Sequence, residues 1–384
     1  MKCFKILLLL ALFLASSLLF GQVKYETFKS SKLGQERQIK IQLPRGYQTK
    51  NDKTYPLFLV LDGDYMFEAV AGNVDYYTYW EDMPDAVVVG VNQLGFRFDD
   101  CMYSEQNYLP TGSGAAFYEF IGQELIPYLE ANYQVGSFKI AVGHGETANF
   151  INYYLLKSKP LFQGYMVISP ELAPALIDYL PETLRKIQSK TFYYLADTNN
   201  DSKSIRNMVS SLDKDISMLE NDHLVYSHDH FEGPSHYSIS AHAIPKAIES
   251  IFEVFQPISK QEYKEVILEL EISPVLYLQE KYQVINDLFG VQKQILINDF
   301  NAIAAAIERN ETYEYYEDLG KMARKAYPDT LLGGFYMGRF YEETGEPKKA
   351  MRTFQSAYNL DEIGGITKDD LLDRADLIKR DFGY

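Results

Sequence analysis

The tract Phe138-Lys139-Ile140-Ala141-Val142-Gly143-His144-Gly145-Glu146-Thr147 joins an apolar run to a turn framed by glycine. It reads as a strand followed by a sharp turn into a helix. In an elbow of this kind, G-x-S-x-G, the central serine is held on a strained backbone with its side chain exposed, ready for nucleophilic attack. Here the central residue is Gly145. It has no side chain to attack a carbonyl or to be activated by a base. It does adopt the strained geometry more easily than serine. A formal rival nucleophile is Thr147, in Gly145-x-Thr147-x-Asn149, although its hydroxyl would lie two residues into the helix. A second cluster is His228 and His230, which alternate along one strand face with His223 and Asp229 nearby. Zinc sites use such pairs, but solvent-facing histidines explain the pattern more simply. No metal and no cofactor is expected.

The elements that would carry these residues follow from the apolar pattern. Residues 35–43 alternate polar and apolar, as a half-buried strand near a sheet edge does. Residues 55–61, 86–91, 138–142, 165–168 and 191–195 are short continuous apolar runs, the mark of strands covered on both faces. Segments with helical spacing lie between them. In 115–132, Phe117, Phe120, Ile121, Leu125 and Leu129 share one face. The alternation predicts an α/β fold, a mostly parallel sheet flanked by helices, with ligands at the carboxyl ends of the strands. A hydrophobic share of 46% against 23% charged residues is enough for a packed core. A net charge of -16 argues against nucleic acid or an anionic membrane surface as partner.

Several tracts, in order, resemble one family. The elbow is similar to the G-H-S-x-G-G elbow of the "Putative esterase" family of α/β hydrolases, which includes proteins like enterochelin esterase and S-formylglutathione hydrolase. Leu59-Val60-Leu61-Asp62-Gly63-Asp64 resembles its L-L-D-G-D tract. Residues 97–100 resemble its R-x-R-D loop, with Asp99 where a second arginine is common. Residues 124–133 resemble its E-L-I-P-Y-I-E-A-N-Y helix, and Ile168-Ser169-Pro170 its I-S-P. Together these span about residues 30–255. Glu146 and Thr147 depart from the family pattern of a small or apolar residue and then glycine.

The resemblance implies an α/β-hydrolase fold and a triad in the order nucleophile, acid, histidine. His236, in Phe231-Glu232-Gly233-Pro234-Ser235-His236-Tyr237-Ser238, resembles the catalytic-histidine loop. The acid should follow the strand ending near Leu195. Asp197 and Asp201 both qualify, and Asp197 is preferred because it lies closer to that end. Backbone N–H groups would form the oxyanion hole, one at Glu146 and one in the Gly63-Asp64 turn.

Both chain ends add expectations. Lys2, Lys5 and the apolar residues 6–20 read as a signal peptide over 1–21, cut near Gly21-Gln22. Export would leave Cys101 as the one cysteine, so no internal disulfide can form, which fits a bacterial periplasm or exterior. No later run is long enough to cross a bilayer. The esterase-like domain is expected over 22–258 and an all-α region over 259–384. Within the latter, Met337, Gly338, Tyr341, Gly345, Ala350, Phe354 and Ala357 have tetratricopeptide spacing, in a repeat-like stretch of about 297–364. The functional expectation is a protein that binds a small ester-like ligand, or a protein or peptide through its helical end, without serine catalysis. The alternative is an ester hydrolase, of siderophore-like esters for example, using Thr147 or a water activated by His236.

Overall fold

The apolar runs become the middle of one eight-stranded sheet in the protein's computed structural model, which describes residues 23–48 and 53–383. The N-terminal run expected to be a signal peptide lies outside the described residues. The strands are β1 (Val23–Ser30), β2 (Gln35–Gln42), β3 (Tyr55–Val60), β4 (Val87–Val91), β5 (Val135–His144), β6 (Gly164–Ile168), β7 (Thr191–Asn200) and β8 (Leu224–Ser235). Their order across the sheet is β1-β2-β4-β3-β5-β6-β7-β8. Only β2 runs against the others, since it pairs antiparallel with both β1 and β4 and every remaining pair is parallel.

β3, β4 and β6 are buried along their whole length, as continuous apolar strands between two helical layers must be. Helices Phe67–Tyr79, Gly112–Glu119, Ile126–Asn132, Leu176–Lys186, Lys203–Ser217 and Ser240–Ile251 supply those layers. β2 lies next to the sheet edge, as its alternation predicts, and two other strands differ from expectation. β1 forms the edge outside β2; half of its residues are exposed, and its sequence lacks the apolar alternation that marks a half-buried strand. β7 runs to Asn200, well past the apolar stretch that ends at Leu195. Cys101 is buried with a free thiol.

The chain divides into two compact units between Glu253 and Val254. The second is helical. Its helices include Pro274–Phe289, Ile297–Asn310, Tyr316–Ala326, Leu332–Glu343, Pro347–Ala357 and Lys368–Phe382. Among the described residues no helix is long and apolar enough to cross a membrane. Small residues set the spacing in this unit. A Cβ at Gly338 would stand 2.1 Å from the ring of the fully buried Phe354. Gly338→Ala therefore forces that ring aside, and about 1–3 kcal/mol of stability should be lost. A urea midpoint unchanged by the substitution would mean that Phe354 moves at no cost.

Candidate active site

Three neighbouring strands end in residues with left-handed backbone. Asp62 follows β3 at φ 53°, Gly145 follows β5 at φ 61°, and Ser169 follows β6 at φ 42°. Gly145 caps the short helix Glu146–Ile151 with ψ −119°, a conformation that an L side chain adopts only under strain. Its N–H donates to the Ile168 carbonyl, 3.0 Å, and its carbonyl accepts from the Glu171 N–H, 3.1 Å. Gly143 is required for another reason. A Cβ there would lie 2.5 Å from the Thr147 carbonyl oxygen, so only glycine lets the helix pack this close to the strand.

A Cβ at position 145 would point at three polar atoms. Arg97 Nη2 would be 3.2 Å away, Glu171 Oε1 3.4 Å and His236 Nε2 3.7 Å. The elbow thus directs position 145 at His236. That histidine is oriented from behind. Its Nδ1 donates to Asp201 Oδ1 at 2.6 Å, and the Asp201 side chain is fully buried. Burial alone would raise the Asp201 pKa. The bonds from His236, the Thr198 N–H and the Ser169 hydroxyl outweigh it and hold the carboxyl below its usual range.

The preference for Asp197 as the partner of His236 is therefore corrected. β7 continues through Asn200, so Asp197 sits inside the strand and pairs in register with His230 on β8. Its carboxylate bonds His228 Nε2 at 2.9 Å and His230 Nδ1 at 3.0 Å. Asp201 is the residue just beyond the strand's true end.

Thr147 is not presented to a substrate. It is fully buried, its hydroxyl lies 2.7 Å from Asp62 Oδ2 and 2.9 Å from the His144 carbonyl, and it accepts from the His144 N–H. It braces the elbow from beneath. Of the backbone groups named for an oxyanion hole, Gly63 is spent, since its N–H donates to the Val91 carbonyl at 2.8 Å. The Asp64 carboxylate accepts from the Gln93 and Leu94 N–H groups and ties that turn to the next loop. The Glu146 N–H belongs to the first turn of its helix, where N–H groups have no partner within the helix.

Arg97, which sequence reasoning placed in a motif without a role, reaches the elbow. Its Nε bonds Asp62 Oδ1 at 2.8 Å, its Nη1 bonds Glu146 Oε2 at 2.5 Å, and its Nη2 bonds the His144 carbonyl at 2.8 Å. The guanidinium lies across the elbow. Glu146 and Asp62 more than offset the desolvation that opposes its charge. His144 is buried and held near pKa 4, chiefly by desolvation, so it is neutral. Its Nε2–H donates to the His236 carbonyl at 2.7 Å, which fixes the backbone beneath His236. A cleft of about 520 Å³ opens beside His236, lined by Tyr103, Glu171, Leu172, Met208 and Tyr237. That is room for a small ligand.

The β7–β8 cluster has its own pH signature. Burial would lower the His228 pKa, but bonds and charge from Asp197 and Asp213 raise it above the ordinary value. A raised folded pKa gives stability that is present below the unfolded value and lost as pH rises through the folded one. Between about pH 6 and about pH 8 the melting temperature should therefore fall less in His228→Gln than in the parent chain. Equal falls would mean that His228 keeps its free-solution pKa. Asp229, the other acid weighed there, accepts from the Tyr194 hydroxyl at 2.8 Å. Among the described residues no group of three or more His, Cys, Asp or Glu is arranged to hold a metal ion.

The family model described as "Putative esterase" matches residues 30–236. The fold is similar to that of an uncharacterised protein from Capnocytophaga ochracea DSM 7271, with TM-score 0.83 and 29% identity over 94% of this chain and 100% of that one. It is also similar to an IroE-like serine hydrolase from Shewanella oneidensis, with TM-score 0.59 and 20% identity over 79% of this chain and 99% of that one. The BES protein from Bacillus cereus matches with TM-score 0.54 and 21% identity, over 61% and 96% of the two chains. No curated protein matches the chain. The family match spans more than half of the sequence and ends on His236 itself, so the chain is a member of the Putative esterase family.

Proposed function

We propose that this chain is an exported member of the family that recognises a small ester-like ligand, or a protein partner, without forming an acyl-enzyme. The observation that carries the proposal is Gly145 at the elbow, aimed at a histidine whose acid partner is intact. Loss of the nucleophile from a serine triad typically lowers turnover by about a millionfold, and Thr147 is too buried and too fully bonded to replace it. The cleft beside His236, walled by Tyr103, Leu172 and Tyr237, supports ligand recognition. The helical unit supports a partner role. The tetratricopeptide spacing around Gly338, Ala350 and Phe354 falls on two helices packed closely enough to need glycine, and repeat hairpins present concave surfaces to peptides. A second reading, ester hydrolysis by water, is favoured by the preserved His236–Asp201 pair.

The test is calorimetric titration with an aryl alkyl ketone, an isostere of a short aryl ester that cannot be hydrolysed. Saturable binding, weakened about tenfold by Tyr237→Ala, corresponds to about 1.4 kcal/mol. A ketone series that never binds would end the ligand half of the proposal.

A further inference from the structure

We propose that the elbow is a site for a catalytic water, held by Arg97, Glu171 and His236 at the point where a side chain on residue 145 would begin, and that this water hydrolyses a bound ester by direct attack. The inference rests on the reading above that the cleft takes an ester-like ligand.

The donors and acceptors around that point select the occupant. His236 Nδ1 donates to Asp201, so in the neutral ring its Nε2 is an acceptor. Glu171 Oε1 is an acceptor, and Arg97 Nη2 is a donor. All three lie 3.2–3.7 Å from the position of a Cβ on residue 145. A group placed there must accept one hydrogen bond and donate two. An ammonium cannot accept, and a ligand hydroxyl donates only once. Water satisfies all three partners and keeps one lone pair for the cleft, and three partners are typical of a fixed water. The site is therefore matched to water by chemistry as well as by space. Glu171 follows the strand-end residue Ser169 by two positions, and its N–H bonds the Gly145 carbonyl, so its backbone is tied to the elbow.

The step balances without any further reactant. The water oxygen bonds to the ester carbonyl carbon while one of its protons passes to His236 Nε2. The carbonyl π pair moves onto oxygen, beside the Arg97 guanidinium. When the tetrahedral species collapses, the bond to the alcohol oxygen breaks and the proton on His236 passes to that oxygen. The products are a carboxylic acid and an alcohol, and no covalent enzyme intermediate forms. Asp201 stabilises the transient imidazolium, and Glu171 holds the water's second proton.

The experiment uses the full mature chain with p-nitrophenyl butyrate. Slow hydrolysis above the buffer rate is expected, without a burst and insensitive to a fluorophosphonate. Mass spectrometry during turnover should show no acyl adduct. His236→Ala should lower the rate about 100-fold, within the usual range for a general base. Gly145→Ala sets a methyl on the water position and should lower it at least about tenfold. Glu171→Gln, a conservative change that tests the same point without backbone strain, should do likewise. Hydrolysis unchanged by both Gly145→Ala and Glu171→Gln would overturn the inference, as would an acyl adduct. If the ketone binds but no hydrolysis is seen, the water inference fails and the binding reading stands. If neither occurs, both fail.

Discussion

Exposed to a fluorophosphonate, the parent chain is expected to take no label, whereas Gly145→Ser is expected to be labelled at position 145 and to hydrolyse p-nitrophenyl butyrate by a serine route. A Cβ at that position lies 3.7 Å from His236 Nε2, so a hydroxyl on it is within hydrogen-bond reach of the base. Two features limit the gain. Arg97 Nη2 would stand 3.2 Å from the new Cβ and must shift. Glu146 also holds Arg97 in place at 2.5 Å and brings negative charge to the start of the helix where an oxyanion would form. Gly145→Ser alone should therefore recover a small part of the about millionfold that a nucleophile contributes. Adding Glu146→Met removes one of the three bonds that hold the guanidinium together with the opposing charge, and should raise the rate at least about tenfold further. Replacing Thr147 by the glycine common in the family should not help, because its hydroxyl joins Asp62 to His144 beneath the elbow. Each variant is compared with its His236→Ala counterpart. Labelling and turnover that survive the loss of His236 would show that His236 and Asp201 do not serve position 145.

The largest expected loss of stability lies behind the same loop. Arg37 on β2 makes a two-pronged pair with Asp100, at 2.8 and 2.9 Å, and both side chains are almost wholly buried. The Arg37 guanidinium also lies 4.4 Å from the centre of the Phe96 ring, and Gln93 donates to the same carboxylate. Burial raises the Asp100 pKa despite Arg37. Arg37→Met leaves a buried carboxylate without its cation and should cost about 3–5 kcal/mol. The double change Arg37→Met, Asp100→Leu should restore most of it, since an apolar pair of similar volume has no desolvation to offset. Urea denaturation of the parent chain and the two variants measures this directly. A double variant no more stable than the single one would show that the pair is needed for the loop's geometry rather than for charge balance. Asp100 closes the short helix Arg97–Asp100, so the single variant should also loosen Arg97 from the elbow.

The middle of the sheet was legible because burial on both faces demands uninterrupted apolar residues, and β3, β4 and β6 have them. The elbow was legible because Gly143 and Gly145 answer separate backbone demands, one for close packing and one for positive φ. The acid was misplaced because polar residues extend β7. Ala196, Asp197, Thr198 and Asn200 gain ladder partners on β8 that no local pattern announces. β1 was missed because a solvent-facing edge strand needs few apolar residues. The reach of Arg97 to a turn 48 positions later depends on Asp62 and Glu146 meeting it from two different strand ends, which is a property of the sheet order and not of any tract. Glu171 is of the same kind. It lies three residues past Ile168 in sequence, but its carboxylate matters only because β5 and β6 are neighbours.

The positive φ at Gly145 also bears on how such a chain changes over generations. At φ 61° and ψ −119° a side-chain-bearing residue carries strain of about 1–3 kcal/mol that glycine does not. A relative with serine there would carry that burden for as long as serine-dependent turnover was selected. Where it is not, glycine is the substitution that fold stability itself favours, and a return to serine needs selection strong enough to offset the difference. The exchange works as a ratchet: the geometry that makes a nucleophile reactive also makes its loss easy and its recovery hard.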